Sequence, residues 1–575
     1  MKYPDDIPFH RPFIGKEEEE AVLRVLRSGW LTTGQEALAF EKEFADFLQE
    51  NTLDRLNNHN IMAVESAITE IGNGAEEATA KGIRPDLNRY GGDGDVTFIW
   101  GNEKKGLYHI GYRRGTEVTA NVIKTVITGK IVRTSEVKKT VTLSDNGYEA
   151  VLSLDFQGNT QTWLLTGWKE NAPDVTGEVC TQSGTTQIRP TFSRSDLGAG
   201  TSKILNELTQ NVNNKPSGEP LFCLAVNSAT SGLHLALEAC GAGPGDTVLV
   251  PSLTFTSTAE VVRYLGAEVV FVDVAPGSFQ MDPAALERTL DRLSRGLPAY
   301  GGLGSNRLKG GFGPKGTPRA VMPVHYGGLP GDMRAIMGIA RRYGIKVIED
   351  AAHAFPSRTE SGEFAGTLGD AGVFSFYATK TITTGEGGMV ATRDTELAAR
   401  ISIMRSHGID RAVWNRYTES KASWYYEVVA PGFKYNLPDI LAAIGRVQLQ
   451  RAWRLLEERQ HIAARYDDAF ACDERFILPP GGTGNARHLY PLRLANPALS
   501  RDTVIERLQD RGIGVSVHFI PLHIMPYYRN QQGLTPEDFP ETLQRFTEVI
   551  SLPIWPGMGE ARIDRVITAV REVST

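Results

Sequence analysis

One lysine, Lys380, stands between an aromatic run and a glycine-rich turn in FSFYATKTITTGEGGMV, residues 374–390. A lysine amine becomes a nucleophile toward a carbonyl when partial desolvation lowers its pKa. Neighbouring motifs narrow the choice of carbonyl. Asp350, in KVIEDAAHA, falls at the carboxyl end of a predicted buried strand, where open α/β sheets place their ligands. A carboxylate there can keep a pyridine nitrogen protonated, which makes a pyridoxal ring an electron sink. In NSATSGLHLAL a turn of small residues runs straight into a helix, so the free amides of Ala229, Thr230 and Ser231 and the helix dipole suit a phosphate. Ser375, just before Lys380, adds a hydroxyl to the same phosphate, and Phe255, in PSLTFTST, offers a ring face for stacking.

Each feature alone has a structural explanation. An isolated lysine beside a turn is a solvated charge, GEGG is a turn, Asp350 is a helix N-cap, and Phe255 and His353 are core residues. Together they lie in order on successive strand ends of one sheet: phosphate turn, stacking ring, aspartate, lysine.

That sheet is read from residues 221 to 410. Short β-branched runs (TVLVPS, EVVFVDV, AVMPVHY, KVIEDAA, AGVFSFY) alternate with helical segments (SGLHLALEAC, STAEVVRYLG, MRAIMGIARRYG), which predicts a mainly parallel sheet with helices on both faces. Residues 16–50 predict a helix pair broken by GWLTTG, and 440–470 one long helix. The segment from 485 onward, with strands in HLYPLRLA and GVSVHF and helices in RDTVIERLQDRG and ARIDRVITAVREV, predicts a small α+β domain. Residues 51–215 differ in texture. They are rich in Thr, Asn and Gly, and their strands (DVTFIWG, GLYHIGYRR, YEAVLSLDF, TQTWLLTGWK) alternate with period two, as in an antiparallel sheet with one wet face. The expected organisation is therefore N-terminal helices in 1–50, an inserted α+β domain in 51–215, the large domain in 216–440, and the long helix with the small domain in 441–575. The glycine-rich stretch 294–318 is expected to be a mobile surface loop.

At 575 residues the chain has room for two or three domains. Its 41% hydrophobic and 22% charged residues are those of a soluble globular protein, and a net charge of −7 gives no global attraction to nucleic acid or anionic membrane. Cys180, Cys223, Cys240 and Cys472 form no CxxC pair, which argues against a disulfide framework or zinc site. Neither a leader nor a membrane span is read, so a cytoplasmic location is expected.

From about 7 to 50 and 221 to 573 the chain resembles the DegT/StrS-type nucleotide-sugar aminotransferases, pyridoxal 5'-phosphate (PLP) enzymes of fold type I. The resemblance rests on NSATSGLHLAL, GDTVLVPSLTFTSTAEVV, VMPVHYGGLPGDM, YGIKVIEDAAHA, GDAGVFSFYATKTITTGEGGMV and PGFKYNLPDILAAIGRVQL. Within the family it is most similar to the branch that aminates a UDP-4-keto-pentose on the way to aminoarabinose (UDP-4-amino-4-deoxy-L-arabinose) for lipid A, with 4-keto-hexose enzymes a step behind. The resemblance implies that Lys380 forms the Schiff base and shuttles the proton, that Asp350 pairs with the pyridine nitrogen, and that His353 lies near the ring hydroxyl, where much of the family has glutamine. It implies Ala229, Thr230, Ser231 and Ser375 at the phosphate, and Asn436 at the phosphate of a neighbouring subunit in a homodimer. The implied reaction is ping-pong, from glutamate to 2-oxoglutarate and then to a nucleotide-linked keto-sugar. Three departures stand out: Phe255 where the closest branch has tryptophan, the 294–318 loop, and the insert. A sugar dehydratase of the same fold would carry histidine in place of Lys380.

The insert faintly resembles barnase-like and colicin-like ribonuclease toxin domains. His109, Arg113 and Arg114, with Thr162 or Thr166, are its candidate acid/base and phosphate-contacting residues, and nucleic acid is a partner only on that reading. An alternative expectation makes the aminotransferase scaffold a carrier and the insert the working part, as a ribonuclease-like or a binding domain. A solvated strand face explains the same charges. GGDGD lacks the ligand spacing of a calcium loop and reads as a turn.

Overall fold

The computed structural model describes residues 6–49, 220–301, 311–410, 426–482, 484–496 and 499–574, together with the backbone of six strands between residues 50 and 219. Contacts divide the chain into two compact units, Met1–Gln49 with Glu219–Thr575, and Glu50–Gly218. In the second unit β1 (Glu77–Ala80), β2 (Val96–Ile99), β3 (Lys130–Ser135), β4 (Thr140–Asp145), β5 (Tyr148–Ser153) and β6 (Trp163–Lys169) form one sheet of order β1-β2-β6-β5-β4-β3. Its pairs are antiparallel except β2 with β6.

The first unit is built on a seven-stranded sheet. Its strands are β7 (Phe222–Val226), β8 (Asp246–Pro251), β9 (Glu268–Val272), β10 (Thr317–Val321), β11 (Lys346–Asp350), β12 (Ala371–Ser375) and β13 (Gly388–Thr392), in the order β7-β13-β12-β11-β10-β8-β9. Only β13 runs against the rest. Every residue of β8, β12 and β13 is buried, which is why TVLVPS and AGVFSFY read as short, largely apolar runs.

Helices cover both faces. On one, α3 (Ala229–Ala239), α4 (Ser257–Tyr264) and α7 (Thr395–Met404) pack Leu233, Leu237, Val262 and Ile401 against Val250, Val373 and Val390. α5 (Pro283–Ser294) and α6 (Met333–Tyr343) place Leu286, Leu290 and Ile336 over Leu249, Val321 and Val347. Near the hairpin between β12 and β13 the cover comes from the N-terminus. α1 (Lys16–Ser28) and α2 (Gln35–Gln49) lie against α8 (Asp439–Gln450), and Phe40 and Phe44 of α2 enter a cluster with Phe355, Phe374 and Phe376. Phe44 stacks on Phe355 at 4.9 Å and meets Phe374 edge-on at 5.3 Å. Burying each such ring is worth about 1.5–3 kcal/mol, so α2 is an integral wall of the domain. Its first turn is capped from afar: the Asp439 carboxylate accepts the amides of Gly34, Glu36 and Ala37 at 2.7, 3.3 and 3.1 Å.

The long helix expected over 440–470 is two helices, α8 and α9 (Ala452–Phe470), joined at Arg451 (φ −101°, ψ 1°). The C-terminal part holds an antiparallel sheet of β14 (Phe476–Ile477), β15 (Tyr490–Leu494) and β16 (Val549–Leu552), with α10 (Arg501–Asp510), α11 (Pro526–Gln532), α12 (Pro540–Glu548) and α13 (Glu560–Val573). The expected strand in GVSVHF is not one. Among the described residues the segment bridges β16 only at Ser516 to Ser551, and Ile513 just before it bridges Ile7 in a loop, so no run of paired residues builds a strand. The 294–318 stretch also differs from a mobile loop where it is described. Tyr300 pairs with Phe312, its hydroxyl accepts the Phe271 amide at 2.7 Å, and Arg292 holds the carbonyls of Pro298 and Tyr300. No helix among the described residues is long and apolar enough to cross a membrane.

Candidate active site

Lys380 lies in the hairpin that joins β12 to the reversed strand β13. The hairpin is locked by its own threonines. Thr383 Oγ1 donates to the Phe376 carbonyl at 3.0 Å and accepts the Gly385 amide at 2.9 Å, while Thr384 Oγ1 donates to the Glu386 carbonyl at 2.6 Å. The Lys380 amide is tied to the Tyr377 carbonyl at 2.9 Å, and His10 Nε2 meets the Ala378 carbonyl at 2.9 Å. The side chain is half-buried, and its amine makes no hydrogen bond or ion pair among the described residues. Desolvation pushes its pKa down to about 8; Asp350 opposes the shift and Arg459 assists it.

Asp350 ends β11 and is buried. Its Oδ2 accepts the Thr258 hydroxyl at 2.7 Å, Thr258 is in turn bonded to Thr254 at 2.7 Å, and Oδ1 accepts the Ala352 amide at 3.2 Å. No cation pairs with it among the described residues, and burial raises its pKa despite Thr258, Ala352 and Lys380. A sealed carboxylate without a counter-charge is an acceptor waiting for a positively charged donor.

Glu349, one residue earlier, is 0% exposed and fully satisfied. Its Oε1 accepts the amides of Leu368 and Gly369, both at 2.7 Å; Oε2 accepts the Gly366 amide and His325 Nε2, both at 2.8 Å. His325 Nδ1 accepts the Gly331 amide at 3.1 Å, so the ring proton sits on Nε2. This network clamps the strand end that presents Asp350.

The phosphate turn is α3's N-terminus. Ser228 caps the helix by accepting the Ser231 amide at 3.1 Å, and Ser231 Oγ turns back to Asn227 and the Ser228 carbonyl, both at 2.7 Å. The Ser231 amide, expected to be free, is therefore engaged. The amides of Ala229 and Thr230 have no protein acceptor among the described residues. Gly388 brings the turn to the sheet: a Cβ there would lie 2.8 Å from the Ala229 nitrogen. Gly388 pairs with Ser375 across β12–β13, which sets Ser375 beside the same amides. Two free amides, a hydroxyl and a helix N-terminus suit a phosphate, and an unpaired carboxylate facing a depressed lysine suits a pyridine ring and its aldehyde. The residues present thus fit PLP.

His353 is buried, and its Nδ1 accepts the Gly327 amide at 3.3 Å. Phe255 stands 55% exposed past the end of β8, its ring 5.9 Å from Phe519. Asn436 is bridged to Val226 at the end of β7, with its side chain held between Thr33 and Lys434. His109, Arg113, Arg114 and Thr162 lie outside the described residues; Thr166 belongs to β6, opposite Val151.

Several groups around Lys380 were not singled out from the sequence. His488 lies against His353 with ring centroids 4.3 Å apart and planes tilted by 46°, His518 Nδ1 meets Ser551 Oγ at 2.9 Å, and Tyr326 Oη donates to the His518 carbonyl. Burial holds the rings of His353 and His488 well below the usual histidine range, and brings His10 and His518 to about 4, with Lys380 or Arg459 adding to each shift. The lysine is thus walled by neutral imidazoles. Arg459, 0% exposed, donates from Nη1 to the carbonyls of Ile554, His488 and Arg487 at 3.1, 3.3 and 3.5 Å.

The profile of the DegT/DnrJ/EryC1/StrS aminotransferase family matches residues 12–58 and 217–571. The spore coat polysaccharide biosynthesis protein SpsC of Bacillus subtilis (strain 168) is 42% identical over 357 residues, 61% of this chain and 85% of that protein. Helicobacter pylori PseC, an aminotransferase involved in the biosynthesis of pseudoaminic acid, is 18% identical with a TM-score of 0.59, covering 99% of both chains. Spr1654 of Streptococcus pneumoniae in its PLP form is 21% identical with a TM-score of 0.58, covering 99% of this chain and 98% of that one. At such identities the last two likenesses are of fold.

Proposed function

The chain belongs to the DegT/DnrJ/EryC1/StrS aminotransferase family of PLP-dependent sugar transaminases, and on that premise we propose that it moves the amino group of glutamate onto a nucleotide-linked 4-keto-sugar. A UDP-4-keto-pentose, or a related 4-keto-hexose, is the acceptor proposed, feeding a cell-surface polysaccharide or lipid A sugar. SpsC's role in a coat polysaccharide supports that direction. The observation that carries the reading is a half-buried lysine, its pKa pushed down to about 8, near a sealed carboxylate that no cation bonds among the described residues.

In this assignment Lys380 holds the cofactor, Asp350 its ring nitrogen, His353 its ring hydroxyl, Phe255 its face, and Ala229, Thr230 and Ser375 its phosphate, with Ser231 organising that turn. Asn436 serves the phosphate site of a second copy in a homodimer. The bound cofactor supplies the electron sink that makes the Cα–H bond of glutamate acidic. Lys380 Nζ takes that proton in the first half-reaction and returns one to the sugar carbon that gains nitrogen in the second. A pKa near 8 lets the amine do both close to neutral pH. The surrounding imidazoles, held neutral, leave Lys380 as the group that changes charge. Residues 51–215 are proposed to be an inserted domain, in keeping with the division of contacts and the gap in the family match.

The test is to incubate the full chain with PLP, glutamate and a panel of nucleotide-linked 4-keto-sugars, following 2-oxoglutarate and aminated product. Lys380→Ala should abolish turnover and the visible absorbance of lysine-bound pyridoxal. A Lys380→Ala protein that keeps both would overturn the assignment. Turnover with no sugar in the panel would remove the acceptor proposal while leaving the lysine assignment standing.

A further inference from the structure

Beside the Tyr326–Gly327 segment, whose Gly327 amide meets His353, lies an open pocket of about 310 Å³, solvent at its mouth included. Phe279, stacked on Tyr326 at 4.6 Å, and Pro479 give it apolar walls. Its polar side chains share one property. Gln280 is folded back on Tyr326, donating to its carbonyl at 3.2 Å and accepting its amide at 3.3 Å. Ser278 Oγ accepts the Gln280 amide at 3.0 Å, and Asn485 Oδ1 accepts the Arg487 amide at 2.8 Å. Each of these side-chain oxygens thus already accepts one amide, and among the described residues three donors beside them have no acceptor: the Ser278 hydroxyl, Asn485 Nδ2 and Arg487 Nη1.

Arg487 is 7% exposed, and its Nη1 has no partner among the described residues. Its Nη2 reaches Asp467 Oδ2 at 3.3 Å, a carboxylate whose other oxygen takes the Tyr490 hydroxyl at 2.7 Å. Arg459 donates to the Arg487 carbonyl and to two more carbonyls, with no carboxylate among its partners in the described residues. Of these two buried guanidinium groups only Arg487 therefore has a carboxylate, which leaves the charge of Arg459 uncompensated away from water. Donors without acceptors beside such a charge favour an anion over water or a cation.

We propose that this pocket is a binding site for a small monovalent anion of chloride size, held by Arg487, Asn485 and Ser278. The ion steadies the backbone at Arg487, one residue from His488, and lies behind the peptide whose N–H meets His353. The site is independent of which sugar is aminated.

Chloride-35 NMR line broadening on the PLP-loaded full chain tests it. A saturable excess linewidth is expected in the native protein. Asn485→Asp places a carboxylate where the ion would sit, so it should remove that excess while melting at the native temperature or above. Arg487→Met should weaken binding by ~10-fold or more, the loss expected of a charged hydrogen bond. A bromide-soaked crystal should show an anomalous peak beside Arg487 Nη1, a readout that needs no variant. Absence of that peak, or equal broadening in the native and Asn485→Asp proteins, overturns the proposal and leaves the pocket to water.

Discussion

Glu349 never touches a substrate, yet replacing it by its isostere should be among the most damaging changes in the chain. In Glu349→Gln one carboxylate oxygen becomes an NH₂ group, and each oxygen position faces two donors: Leu368 and Gly369 on one side, Gly366 and His325 on the other. Whichever way the amide turns, two hydrogen bonds to a charged acceptor become donor–donor contacts in a sealed interior. At about 1.5–3 kcal/mol per bond the loss is about 3–6 kcal/mol, against a total domain stability of about 5–15 kcal/mol. Rotation of the His325 ring offers no escape, because Nδ1 already accepts the Gly331 amide. The urea midpoint of the variant, followed by tryptophan fluorescence, should drop by a large fraction of its native value. Because the network fixes the strand end carrying Asp350, PLP affinity of the protein that remains folded should fall as well. A variant with the native midpoint and native PLP affinity would refute the claim that this network positions Asp350.

The remaining predictions concern the site itself. The rate at which cofactor-free protein captures PLP should rise with pH and level off above about 8, where Lys380 loses its proton. Asp350→Asn removes the charge that raises that pKa and should move the inflection to lower pH; an inflection near 10.5 in the native protein, the value of a free lysine, would contradict the assignment. Thr258→Val deletes the hydroxyl bonded to Asp350 and should loosen PLP by ~10-fold or more, as measured by fluorescence titration. Between pH 6.5 and about 4 the unfolded chain binds protons that His10 and His518 in the folded chain refuse, so stability should fall as pH falls through that window. His518→Gln should flatten that part of the stability profile. Gly388→Ala would put a methyl 2.8 Å from the Ala229 nitrogen, and should weaken PLP binding more than it lowers the melting temperature.

What the sequence made legible follows from the range of the forces involved. β8, β11 and β12 were readable because a strand buried on both faces is apolar at its centre, as in Val248–Val250 and Val347–Ile348, with polar residues confined to its ends. The phosphate turn and Lys380 were readable because their chemistry is local, set by small residues ahead of a helix and by an amine beside a hairpin. His488, His518, His10 and Arg459 were not, since each owes its place to packing across long stretches of chain. His488 sits in β15's approach and His518 in a segment whose apolar alternation mimics a strand. The break between α8 and α9 was hidden because helical periodicity runs through Arg451. The lost Ser231 amide reflects a capping choice: a serine stands ahead of the helix and claims it.

The packing of α1 and α2 against α8 also dictates an order of events on the ribosome. Phe40, Phe44 and Leu48 emerge early, but Asp439, which caps α2, and Arg446, which binds Glu36 and Glu43, are made some four hundred residues later. At synthesis rates of ~5–20 residues per second this is an interval of roughly 20–80 s. During much of it the hydrophobic side of α2 stays open, because the groups that cover it, from Cys223 in β7 to Phe374 in β12, follow only after the whole of 50–218 has been made. The nascent chain is therefore a natural client for chaperones that shield apolar helices, and truncation before Gln450 should strand those helices in an aggregation-prone state.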